Sequence, residues 1–194
     1  MKPVRTYGIE RAFDLPFSAV RAEDGKRYIE GYFALYDSVT ELAPGIEEVI
    51  EKGAFADTLT NDIRALYNHD TSMVLGRNTS GTLVLREDAK GLFSKIETPD
   101  TSYANDLHVL VSRGDVTQCS FGFNITDEYT EDLGGGKYRF HIRKIDLHEI
   151  SVVTFPAYRD TLVHARDERS ADVEAINKRS FELRKQELLK KVRG

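Results

Sequence analysis

Ser120 stands in a run, Thr117-Gln118-Cys119-Ser120-Phe121-Gly122-Phe123-Asn124-Ile125, whose apolar residues recur at every second position. As a strand, this run turns Cys119, Phe121, Phe123 and Ile125 to a core and Gln118, Ser120, Gly122 and Asn124 to the opposite face. The serine is therefore expected on an accessible face, beside a glycine that has no side chain to shield it. Cys119 is intrinsically the better nucleophile, but the alternation assigns it to the core as a small hydrophobe. A serine hydroxyl attacks a carbonyl only when a base takes its proton and a third group orients that base. Two other segments could supply these groups. His69 ends an apolar stretch, between Asn68 and Asp70, where a strand end would display it as a general base. His148 and Glu149 lie within Ile145-Asp146-Leu147-His148-Glu149-Ile150-Ser151-Val152-Val153. Strict alternation places Glu149 with Ile145, Leu147 and Val153, and His148 with Ile150 and Val152. A carboxylate on an apolar strand face is costly unless paired, and an imidazole would pair it. A bulge would exchange the two faces, so both residues stand as orienting groups.

Competing chemistries lack their residues. His148-Glu149-Ile150-Ser151-Val152 has no second histidine at zinc-protease spacing, and no G-x-S-x-G elbow surrounds Ser120. Gly134-Gly135-Gly136-Lys137 lacks the upstream glycine of a phosphate loop. His108, His141 and His164 carry no distinguishing context. No ligand spacing argues for a metal, and no cofactor is expected.

The elements that must position these groups are mostly strands. Residues 17–21 and 27–36 flank Asp24-Gly25 as a hairpin, and 82–86 with 91–97 form a second one. Residues 50–59 read as a short helix weakened by Gly53, and 63–67 as a short strand ending at Asn68-His69-Asp70. Helical spacing of Tyr103, Leu107, Leu110 and Val111 predicts a helix over 101–113, capped by Thr101 or Ser102 and stopped by Gly114. After the Ser120 strand, the three glycines turn the chain into 138–142, and 145–155 is the last strand, ended by Pro156.

At 194 residues, 40% hydrophobic and 30% charged, the composition is that of a soluble globular domain. No apolar run approaches the roughly 20 residues of a membrane span, so no membrane partner is expected. The first residues lack the apolar stretch of a secretory signal. A single cysteine rules out an internal disulfide framework and suits a reducing cytoplasm. A net charge of −5 advertises no nucleic-acid surface. That charge is uneven: residues 166–194 hold nine Lys/Arg against six Asp/Glu, leaving −8 on residues 1–165. We therefore expect a folded domain over 1–165. Beyond it, 166–194 reads as a charged helical or flexible tail, either solvated or partner-binding.

Four pieces together resemble the tailed-bacteriophage prohead protease family, serine peptidases that mature procapsids. They are Gly31-Tyr32-Phe33-Ala34; Tyr67-Asn68-His69-Asp70 followed by Leu75-Gly76-Arg77; Cys119-Ser120-Phe121-Gly122-Phe123; and Leu147-His148-Glu149-Ile150-Ser151-Val152-Val153-Thr154-Phe155-Pro156-Ala157. Their order spans roughly residues 25–165. The family is related in fold to the herpesvirus assembly proteases, which implies a mainly β fold with peripheral helices, built as a small antiparallel barrel. It also implies His69 as base, Ser120 as nucleophile and an orienting group at 148–149. The herpesvirus pattern of a second histidine points to His148. The prohead pattern points to Glu149, and a carboxylate holds an imidazolium better through charge-assisted bonding. For the oxyanion, the resemblance and position suggest the loop at Ala157 and Tyr158, with Arg77 as alternative. The implied role is serine endopeptidase, cleaving the scaffolding segment of the major capsid protein or a separate scaffold, and then itself, inside the prohead in the host cytoplasm. The sequence does not give an oligomeric state; the herpesvirus relatives, active as dimers, make a homodimer one option. The basic tail would tether the enzyme to scaffold during assembly. The rival readings are a non-enzymatic assembly factor on the same scaffold and an esterase using the same residues.

Overall fold

A computed structural model of the chain describes residues 9–14, 17–22, 25–155, 169–183 and 185–186. Among the described residues eleven strands form two sheets: β1 (Ile9–Asp14), β2 (Phe17–Arg21), β3 (Arg27–Leu35), β4 (Thr40–Ala43), β5 (Ile46–Ile50), β6 (Arg64–Tyr67), β7 (Asp70–Arg77), β8 (Leu83–Glu87), β9 (Gly91–Glu97), β10 (Gln118–Gly134) and β11 (Lys137–Val153). Helix α1 covers Ser102–Arg113, and a second helix, α2, covers 169–183. The first sheet runs β1-β10-β11-β5-β4, with β6 also paired to β11 and β7 to β6; the second runs β2-β3-β9-β8.

The mainly β fold with peripheral helices is as expected, but the small antiparallel barrel is not what forms. Among the described residues the sheets stay open, and β5 and β6 both run parallel to β11 along one of its edges. The chain leaves β5 at Ile50 and rejoins the same edge at Arg64. The intervening residues are successive turns rather than the expected helix over 50–59. Gly53 adopts φ +88°, outside the helical region. The bonds Ala54 N–H to Glu51 O, Ala56 N–H to Gly53 O and Thr58 N–H to Phe55 O all close over three residues, not four.

The two sheets face one core. Ile29, Phe33, Leu92 and Ile96 from the second sheet join Phe121, Phe123, Leu147 and Ile150 from the first, with Ala104, Leu107 and Val111 of α1 alongside. Burying each large side chain of this set is worth about 1.5–3 kcal/mol, which is what holds β10 and β11 rigid. Helix α1 begins and ends where its spacing predicted. Gly114, at φ +79°, reverses the chain, and Asp115 N–H reaches back to Leu110 O.

The C-terminal segment contributes Arg169, whose side chain is fully buried. Its guanidinium donates to Glu48 Oε2 on β5 at 2.9 Å and to Glu128 Oε1 on β10 at 3.1 Å, and lies 4.2 Å over the Phe140 ring. Arg11 of β1 donates to the other side of Glu48, Nε to Oε1 at 2.5 Å. Burial alone would raise the Glu48 carboxyl, but the two guanidinium groups outweigh it and hold the group below the ordinary glutamate value. Val173 and Ile176 of α2 pack on Ile46, Tyr138 and Phe140. Later residues of the helix, such as Phe181 and Leu183, are exposed.

Arg169→Ala should cost about 3 kcal/mol of unfolding free energy, because it strips one cation from a buried carboxylate. The loss should be complete above about pH 5 and shrink as pH falls through the lowered Glu48 value, where protonation removes the charge being paired. Denaturant titrations of both proteins from pH 7 down to 3 measure it; a shift below about 0.5 kcal/mol at pH 7 would mean Arg169 is not docked in solution.

Candidate active site

Residues Asn68 and His69 form the whole loop of a two-residue hairpin, since Tyr67 pairs directly with Asp70. Both take positive φ, +52° and +59°, as this hairpin type requires, although its second position normally favours glycine. The turn is fastened to the end of β11. Asn68 N–H donates to Val152 O at 3.0 Å, and Thr154 N–H donates to Asn68 Oδ1 at 2.9 Å. His69 N–H donates to Ser151 Oγ at 3.2 Å. The imidazole is thus carried on a strained but anchored turn.

Glu149 meets this ring. His69 Nδ1–H donates to Glu149 Oε1 at 2.8 Å, and Ser151 Oγ donates to Glu149 Oε2 at 2.5 Å. The first bond selects the tautomer in which Nε2 is the basic nitrogen.

A bulge decides which residue faces His69. Gly122 pairs with Glu149 but Phe123 pairs with Leu147, so His148 is an extra residue in β11. Leu147 and Ile150 then both point into the core, and Glu149 and Ser151 point away from it. This corrects the strict alternation, which grouped Glu149 with Ile145 and Leu147. His148 is exposed instead, its Nε2 accepting from Asn124 Nδ2 at 2.8 Å, and it makes no bond to His69.

Ser120 shares the face of Glu149. It pairs with Ser151 across β10 and β11, and Ser151 pairs with Leu66 of β6. Two residues on, Gly122 lies beneath the carboxylate: a Cβ there would come within 2.7 Å of Glu149 Oε1. Cys119, Phe121 and Phe123 enter the core as the alternation predicted. The expected exposure of Ser120 does not hold; the residue is fully buried, as Ser151 is. Its Oγ has no hydrogen-bond partner among the described residues, so the bond from Ser120 to an imidazole is not closed here.

Arg77 is committed elsewhere. Nε and Nη2 grip the two oxygens of Asp62 at 2.6 Å each, a fork that depresses the Asp62 carboxyl to about 2. Ala157 and Tyr158 lie outside the described residues. No group of metal-ligating side chains occurs among the described residues, and no described helix is long and apolar enough to cross a membrane. Ser151, which touches both Glu149 and His69, was not singled out from the sequence. Its two-residue spacing from Glu149 was the available signal.

A profile of the caudovirus prohead serine proteases matches residues 14–177. The chain belongs to this family. The match embraces β2 to β11 and the docked first turns of α2, and so includes His69, Ser120 and Glu149. The chain is therefore one of the serine proteases of phage capsid maturation. Among solved structures it is similar to the bacteriophage T4 capsid assembly protease, gp21, at 10% identity and a TM-score of 0.48, covering 76% of this chain and 97% of that one. No curated protein sequence matches.

Gly122→Ala should leave the fold intact, since its backbone is not in the left-handed region, while pushing the Glu149 carboxylate off His69. A proteolytic rate reduced on the order of 10- to 100-fold, with an unchanged melting temperature, is the expected pair of readings. In contrast, His69→Gly should remove the strain of a side chain at positive φ, worth about 1 kcal/mol. Because the change also strips Glu149 of its Nδ1–H partner, the comparison is with His69→Ala, which loses the same bond but keeps a Cβ at positive φ: His69→Gly should melt higher, and an equal or lower melting temperature would refute the strained-turn reading.

Proposed function

We propose that this chain is a serine endopeptidase in which Ser120 is the nucleophile, His69 the general base and Glu149 the group that orients the base. The observation that carries the reading is the Glu149–His69 bond on the face where Ser120 lies, one strand pairing away. In the reaction, His69 Nε2 takes the Ser120 proton as Oγ attacks the scissile carbonyl. The imidazolium, held by Glu149 through Nδ1–H, then protonates the departing amine, and water repeats the cycle on the acyl-enzyme. Closing the Ser120–His69 bond accompanies substrate binding, as apo catalytic bonds are commonly loose. A fully buried Oγ also requires neighbouring chain to yield before a peptide reaches it.

The unpartnered hydroxyl is compatible with this assignment but not peculiar to it, since Ser94 Oγ on β9 is as fully buried and likewise has no partner among the described residues. Arg77 does not fit as an oxyanion donor in this reading, because its fork would have to leave Asp62. Ala157 and Tyr158, which lie outside the described residues, stay as oxyanion candidates on the family resemblance alone. The substrate we infer is the scaffolding portion of the capsid protein, or a separate scaffold, met inside the prohead, with self-cleavage to follow.

Ser120→Ala should lower cleavage of the same phage's major capsid protein by on the order of 10,000-fold or more, with stability unchanged or raised by about 1 kcal/mol. Glu149→Gln should lose on the order of 10,000-fold, while His148→Ala keeps near-parental activity. Retained cleavage in Ser120→Ala would discard the nucleophile, and a fluorophosphonate that labels the parent but not this variant would distinguish a serine hydrolase from a non-enzymatic assembly factor.

A further inference from the structure

We propose that Ser151 is a positioning residue that locks base and carboxylate into one rigid unit, an inference that rests on the Ser120–His69–Glu149 reading. Its hydroxyl makes two bonds of opposite sense: it donates to Glu149 Oε2 at 2.5 Å and accepts from the backbone N–H of His69 at 3.2 Å. The side chain is fully buried, so water does not substitute for either partner. Each bond fixes a different freedom. The donated bond sets the rotation of the carboxylate, so that Oε1 stays aligned with His69 Nδ1. The accepted bond holds the backbone of a residue at φ +59°, a conformation a histidine does not hold by itself.

The arrangement is also directional. Because the hydroxyl has one hydrogen, spent on Glu149, its lone pairs remain for His69 N–H. Loss of the hydroxyl therefore loosens both partners at once, and it does so beside Ser120, the cross-strand neighbour of Ser151.

The test compares the second-order rate of fluorophosphonate labelling in the full-length parent, Ser151→Ala, Glu149→Gln and the double variant, with melting temperatures taken in parallel. Ser151→Ala should be labelled on the order of 10- to 100-fold more slowly at temperatures where it is fully folded. In the Glu149→Gln background the same change should matter several-fold less, because Ser151 acts through that carboxylate. Ser151→Thr, which keeps the hydroxyl, should recover most of the rate. Parental labelling of folded Ser151→Ala, or equal effects in both backgrounds, would overturn the proposal while leaving the catalytic assignment standing. If Ser120→Ala is still labelled and Ser151→Ala is not, the nucleophile is Ser151 and both readings fall.

Discussion

One extra residue in β11 determines what chemistry this sheet can present. Without the bulge at His148, the strand would send Glu149 into the core beside Leu147 and lay His148 toward the His69 turn. With it, the apolar residues Leu147, Ile150 and Val152 all reach the core, and Glu149 and Ser151 are left together on the other face. The hydrophobic side thus enforces the polar side. Three large buried residues hold the register, so slipping the bulge by one position would expose or misplace several kcal/mol of apolar contact. Gly122 completes the device across the ladder, since only a residue without a side chain leaves room for the carboxylate.

The neighbourhood of His69 carries costs that the rest of the fold must offset. A histidine occupies a turn position suited to glycine, and a buried serine hydroxyl lacks a partner. Such local violations concentrate where a structure serves function rather than stability. The compensation lies in the two-sheet core and in the charged cluster at the far end of β11's edge. There Arg11, Glu48 and Arg169 join the first strand, β5 and α2. Glu48 and Glu149 make an instructive contrast. The former is sealed between two fixed guanidinium groups; the latter takes an imidazole N–H on one oxygen and a serine hydroxyl on the other.

Much of this was legible in the sequence, for reasons that differ by element. The Cys119–Phe121–Phe123 alternation was decisive because a strand flanked by core has little freedom in its register. Helix α1 was marked by its own spacing and by Gly114. His69 and Glu149 were visible as candidates, and the family pattern with charge-assisted bonding favoured Glu149 over His148; alternation alone could not make that choice, because a bulge is set by tertiary packing and leaves no local signature. The turns at 52–60 were misread as helix, since their composition is helix-compatible and only the φ of Gly53 decides otherwise. Burial of Ser120 escaped notice for a related reason: periodicity tells which face a residue takes, not whether that face is covered. Arg169 was hidden by its surroundings, a buried cation followed by charged residues such as Glu174, Lys178 and Arg179 that are exposed.

Hydrogen-bond accounting explains why a carboxylate, rather than a second imidazole, suits the position facing His69. Two donors converge there, Nδ1–H of the ring and Oγ–H of Ser151, and each takes a separate oxygen of Glu149. An ionised carboxylate accepts both and offers no competing donor. A neutral imidazole has one acceptor nitrogen, so either the ring or Ser151 would lose its bond in a largely buried place. Were that second imidazole protonated, it would have no acceptor at all and would repel the charge that His69 develops. Ser151 therefore constrains its neighbour's chemistry as well as its orientation: with the hydroxyl fixed in this row, only an acidic side chain satisfies every donor around it.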